Sequence, residues 1–179
     1  MAQTPNPQKA EADRLRQQGR EQYQTSQFEA ALQSWQRTLT IYREIKDRFG
    51  EGACLGNLGL VYLSLGDYAK AIEYQQKRLA IAREIKDRFG EGQSLGNLGL
   101  AYYSLGDYTK AIEYHQQSLA IAKDINNRLG EGQSLGNLGV AYYSLNKKLT
   151  NQNSIFGSLS PQVKWPFAHP ISNLCGSVR

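Results

Sequence analysis

Apolar residues along this chain fall at spacings of three and four, and the pattern restarts after a fixed interval. Between residues 52 and 65, Leu55, Leu58, Tyr62 and Leu65 share one helical face, because a turn of 3.6 residues brings such positions together. Gly66-Asp67 then interrupts the pattern. Glycine suits a left-handed turn at a helix C-terminus, and aspartate accepts hydrogen bonds from the exposed amides that open the next helix. A second stripe follows, with Ala71, Ile72, Leu79, Ala82 and Ile85 on one face of a helix predicted over 68–88. On its other face Glu73 with Lys77, and Glu84 with Arg88, stand four apart in the favourable order, each pair contributing about 0.3 kcal/mol.

The two-helix unit repeats. Glu44 to Lys77 recurs as Glu84 to Gln117 with 27 of 34 residues unchanged, an offset of 40. The segment Gly130 to Leu145 starts a third copy, and a fainter one runs from Ala12 to Phe49, with Gly19, Phe28, Ala31 and Leu39 in register with Gly59, Tyr68, Ala71 and Leu79. Gly59, Gly99 and Gly139 sit inside helices, where glycine costs about 1 kcal/mol relative to alanine. Close approach of two helices offsets that cost, and Ala71 and Ala111 are the expected small partners.

The pattern Leu58-Gly59, Tyr62, Gly66-Asp67-Tyr68, Ala71-Ile72 and Leu79 resembles the tetratricopeptide repeat. The 40-residue period resembles the subtype in kinesin light chains and Leu-Gly-Asn-repeat proteins, and the near-identity of the copies is similar to bacterial, especially cyanobacterial, repeat proteins. Arg83 stands where many members of the family place a proline after the second helix, so that helix is expected to run on and lengthen the period. The resemblance implies an all-α, right-handed superhelical solenoid of antiparallel helix pairs, about 3.5 repeats in seven helices, followed by an irregular C-terminal tail. The expected divisions are a disordered start over 1–11, an array over 12–145 (12–49, 52–89, 92–129 and a half repeat 132–145), and a loop or disordered tail over 146–179.

Composition narrows the chemistry. The net charge of +5 would suit nucleic acid, but Lys147, Lys148, Lys164 and Arg179 supply four of those charges after Leu145. The repeats lack the clustered basic stripe such a partner needs, so no nucleic acid is expected. No apolar run reaches the roughly 18 residues of a membrane span, and Met1 to Lys9 carries no signal-like stretch; a cytoplasmic protein with no membrane partner is expected. Cys54 and Cys175 form no CxxC pair, and His115 and His169 belong to no metal motif. No cofactor or metal is expected.

The run Gly90-Glu91-Gly92-Gln93-Ser94-Leu95-Gly96 lacks the Lys-Ser/Thr of a phosphate loop and reads as an inter-repeat turn plus a thinned helix start. Ser64, Ser104 and Ser144 recur without a base beside each. A catalytic constellation is asymmetric, whereas every polar feature here repeats; the chain is therefore not expected to be an enzyme.

The remaining candidate is a surface. In the family the first helices line the concave face, and the asparagine before the Leu-Gly pair binds a peptide backbone; that role falls on Asn57, Asn97 and Asn137. A carboxamide has donors and an acceptor, so it pairs with both halves of a peptide unit. Leu60, Leu100 and Val140, three residues on, add apolar surface. Tyr103 and Tyr143 follow core tyrosines by one residue, a rotation of about 100° taken as toward the groove. Arg16 and Arg20 make one end basic, suited to an acidic end of a partner, although Gln93 and Asn97 stand where the full carboxylate clamp has its second basic pair.

The repeat stops early. After Leu145, Lys147, Lys148 and Asn151 replace the Asp, Tyr and Ala of the pattern, and three of the five prolines follow. Leu135, Leu138, Tyr142 and Leu145 therefore lack a predicted cover. Ile155, Phe156, Trp165 and Phe167 fold back, or a second chain covers the face as a homodimer, or the half repeat frays. The leading function is a protein–protein interaction scaffold that binds a partner peptide segment in its groove. The alternative is a self-associating regulatory fragment or truncated remnant of a larger repeat protein.

Overall fold

The computed structural model describes residues 6–159, with side chains described through Gln152. These residues form seven helices and no strand: α1 (Pro7–Gln24), α2 (Phe28–Glu44), α3 (Arg48–Ser64), α4 (Tyr68–Glu84), α5 (Arg88–Ser104), α6 (Tyr108–Asp124) and α7 (Arg128–Leu159). The chain divides into two units, Met1–Leu145 and Asn146–Arg179. Within the first, α1 packs on α2, α3 on α4 and α5 on α6 as hairpins, while α2 meets α3 and α4 meets α5 between them. The result is the all-α repeat array that the periodicity implies.

Each interior helix has 17 residues, and the turns recur at half the expected period. Ser26, Lys46, Gly66, Lys86, Gly106 and Asn126, twenty residues apart, all take a left-handed φ, between 55° and 77°. The next residue caps the following helix: Asp47, Asp67, Asp87, Asp107 and Asn127 each accept from the backbone N–H three residues on, at 2.9 to 3.2 Å. This corrects the expected second helix, which ends at Glu84 rather than running to residue 88. Asp87 competes for the free amides of the next helix, so Lys86 accepts the unfavourable left-handed conformation. The run from Gly90 to Gly96 consequently lies wholly within the start of α5, the turn having ended before it. Glu84 and Arg88, expected as an i,i+4 pair, sit on different helices; Glu73 and Lys77 do pair.

Two further boundaries differ from expectation. Residues 7–11, expected to be disordered, open α1, because Asn6 accepts from Gln8 N–H and Pro7 fits the first helical position. Residues 146–159, expected as a loop, continue α7. By the twenty-residue rule Asn146 and Lys147 fall at the left-handed and capping positions, and an ammonium has no acceptor with which to start a new helix. Cys175, His169, Trp165 and Phe167 lie outside the described residues, and nothing is described of the side chains of Ile155 and Phe156.

The hairpin cores explain the helical glycines. A Cβ on Gly19 would stand 2.5 Å from the Trp35 ring, on Gly59 2.6 Å from Gln75 and on Gly99 2.5 Å from His115. The glycines therefore make room for a large side chain of the partner helix, whose atoms stand nearest to them, while Ala71 and Ala111, the partners expected, are fully buried. Leu55, Leu58, Leu95 and Leu98 are fully buried, each side chain contributing about 2 kcal/mol by its removal from water. Tyr62 stacks on Tyr74 and Tyr102 on Tyr114, both at 5.3 Å between centroids. Leu65, expected on the buried face, is 43% exposed because it caps α3.

Gly139 lacks any described neighbour within 4 Å, unlike Gly99. Equivalent substitutions should therefore have opposite signs: G99A costs about 2 kcal/mol through overpacking against His115, whereas G139A gains up to about 1 kcal/mol of helix propensity. Urea denaturation of both variants checks this.

Candidate functional site

The first turns of α3 and α5 are each held by a ladder of charges that crosses three helices. Arg43 and Arg48 both donate to Glu51, and Arg48 also pairs with Glu84. One repeat later Arg83 and Arg88 donate to Glu91, and Arg88 pairs with Asp124. Glu51 and Glu91 are only 8% exposed, so each carboxylate depends on its arginines. Burial alone would raise the Glu91 carboxyl, but the hydrogen bonds from Arg83 and Arg88 outweigh it and hold the group below the usual glutamate range.

With the helices fixed in this way, one face of the array forms a groove of about 900 Å³. Arg16, Arg20, Asn57, Leu60, Asn97, Leu100 and Asn137 all line it. The three asparagines are half-buried, and their carboxamides have no hydrogen-bond partner among the described residues. Arg16 is paired with Asp13 at 3.4 Å, while its Nε is buried without a partner.

Three of the expected groove residues lie elsewhere. Tyr103 is six residues past Asn97, about 240° around the helix; it packs on the Tyr108 ring, and its hydroxyl meets Ser144 Oγ at 3.1 Å. Tyr143 and Val140 are 69% and 52% exposed on α7, outside the groove lining. The Tyr103 arrangement recurs at Tyr23, whose hydroxyl meets Ser64 Oγ at 2.9 Å. Leu63 takes that place in the repeat between, so Ser104 lacks the bond. The recurring serines are thus joints between repeats.

Beside Leu60 and Leu100, the groove's apolar surface comes from residues not assigned to it by the spacing. Phe49, Phe89 and Leu129, forty apart, are 63%, 53% and 74% exposed and line it. Ile81, Ile85, Ile121 and Ile125 of the second helices form its floor with Arg78. The signal was the recurring Arg-Phe-Gly, which is masked when that run is taken as a turn.

No group of three or more His, Cys, Asp or Glu capable of holding a metal occurs among the described residues. No described helix is long and apolar enough to cross a membrane. Cys54 is buried, and desolvation pushes its thiol up to about 12, which leaves it a poor nucleophile.

The tetratricopeptide repeat pattern matches residues 12–84 and 90–148. The chain belongs to that family. No curated protein matches it significantly. Among solved structures, aspartyl phosphate phosphatase F from Bacillus subtilis superimposes with a TM-score of 0.75 at 21% identity, over 84% of this chain and 39% of that one. A signal transduction ATPase with numerous domains from Pyrococcus horikoshii, which carries a tetratricopeptide repeat sensor, gives 0.71 at 29% identity, over 76% and 21%. The TPR2AB domain of yeast Sti1, solved as a complex with pHSP90, gives 0.65 at 27% identity, over 79% and 50%. This tetratricopeptide repeat chain thus spans well under half the length of the first two proteins.

The Glu91 site carries a pH signature. E91Q lowers the unfolding free energy by about 1–2 kcal/mol at neutral pH. Because folded Glu91 titrates below an unfolded glutamate, its stabilisation is complete above the ordinary value of about 4.3 and is lost as the pH falls through the lower folded value. Urea titrations of wild type and E91Q at neutral and strongly acidic pH should therefore converge in acid; a gap that widens there contradicts the assignment.

Proposed function

We propose that this chain is a non-catalytic scaffold that holds a peptide segment of a partner protein in the groove. The observation that carries the proposal is the ladder of Asn57, Asn97 and Asn137, three half-buried carboxamides without described partners, along one groove. Each offers an acceptor and two donors at intervals of one repeat. A segment laid along them satisfies its backbone groups without regard to sequence, while Phe49, Phe89, Leu129, Leu60 and Leu100 take its apolar side chains. Arg16 and Arg20 favour an acidic group at one end. The pHSP90 complex of the Sti1 domain supports the reading by fold and by partner type.

The exposed apolar residues of α7, among them Leu135, Tyr142 and Tyr143, favour a second reading, in which the chain self-associates. Light scattering across a hundredfold concentration range distinguishes the two, since only self-association requires a mass that rises.

For the groove itself, N97A combined with N137A should reduce retention of a degenerate ten-residue peptide pool on the immobilised chain by roughly tenfold or more, from the loss of several hydrogen bonds. Helical circular dichroism and the melting temperature should stay unchanged. Equal retention by variant and wild type removes the ladder from the binding site.

A further inference from the structure

One side chain in the groove breaks the repeat. Position 38 is Thr and position 118 is Ser, both buried, with Thr38 Oγ1 donating to Ser34 O and Ser118 Oγ to Gly92 O. Between them, at the equivalent place in α4, stands Arg78. Its stem lies over Gly56, where a Cβ would come within 2.6 Å of Arg78 Cδ, and the residue lines the groove. A glycine opposite and a long side chain in place of a hydroxyl together bring a guanidinium into the floor.

That guanidinium lacks the compensation its neighbours have. Arg43, Arg48, Arg83 and Arg88 are each paired with carboxylates, whereas Arg78 has no carboxylate within ion-pair distance among the described residues. Its Nη2 instead donates to Gln93 Oε1, at 2.5 Å. Asp87 also lines the groove and acts on Arg78 through space, but its carboxylate caps α5 and makes no ion pair with it. Burial pulls the Arg78 guanidinium below the usual arginine range, yet arginine stays charged. A half-buried cation without an ion pair is under-compensated, and a planar fork of donors matches a carboxylate.

We propose that Arg78 is the specificity residue of the groove: it receives an Asp or Glu side chain of the bound segment, in the middle of the array rather than at the Arg16–Arg20 end. One cation balances a single carboxylate charge, whereas recognition of a phosphorylated residue uses a cluster of arginines. This rests on the groove being a peptide site.

The test uses the full chain, immobilised, and two degenerate ten-residue peptide pools that differ only in a fixed central Glu or Gln, with retained peptide measured by mass spectrometry. Wild type should retain the Glu pool about tenfold better, the scale of a charge-assisted bond. R78S, which copies the chemistry of Ser118, should retain both pools equally, at the wild-type Gln level. R78Q keeps the length of the side chain without its charge and gives the same readout if R78S loses helical signal. R16S with R20S should keep the Glu preference. Binding of both pools by wild type without preference, or a preference that survives R78S and R78Q or is lost only in R16S with R20S, overturns the assignment of Arg78 and leaves the groove intact. Retention of neither pool by wild type overturns both.

Discussion

The spacing of the two helices in each hairpin is set by glycine, because at Gly19, Gly59 and Gly99 any side chain would enter the ring or amide of Trp35, Gln75 or His115. The cost of glycine in a helix is offset by burial of that larger group across the interface. Once the hairpins close to this distance, the flanking leucines reach one another, and the first helices stand close enough for Tyr23 and Tyr103 to meet a serine one repeat on. The groove follows from the same spacing: with first helices in a row and the C-terminal halves of the second helices behind them, the asparagines project where no neighbour fills the space.

Charge does a different task. The arginine–glutamate ladder at Glu51 and Glu91 ties the end of one hairpin to the start of the next and to that hairpin's own far end. Exposed ion pairs contribute little, but a carboxylate that is 8% exposed makes the pairing obligatory and so fixes register. Arg43, Arg48, Glu51 and Glu84, with their counterparts one repeat on, are thus engaged in holding the array together. Arg78 stands out because it takes no part in that ladder.

The family, the hairpins and most of the core were legible in the sequence because a near-identical 40-residue repeat and a 3.6-residue stripe are strong signals. The twenty-residue turn was half legible. Gly66 announced its left-handed φ, whereas Lys86 did not, since nothing in a lysine favours that conformation and only the aspartate after it imposes the turn. That one boundary put Arg88 on the wrong helix and Phe89 and Gly90 in a loop, and with them hid the apolar lining of the groove. Tyr103 shows the opposite error: a helical angle measured from a core tyrosine says which way a side chain leaves its own helix, but not that the next repeat already occupies that direction. The Asn ladder was legible only through the family resemblance.

The variable side chain opposite each glycine also grades the hairpins. Trp35 is satisfied, its indole N–H donating to Arg16 O, while Gln75 Oε1 and His115 Nδ1 are buried without partners. In α7 the corresponding glycine faces nothing described. Since neighbours alone stabilise neighbours in such an array, this contact is one on which the otherwise near-identical hairpins differ: polar satisfaction of the group opposite the glycine is complete at Trp35 and incomplete at Gln75 and His115.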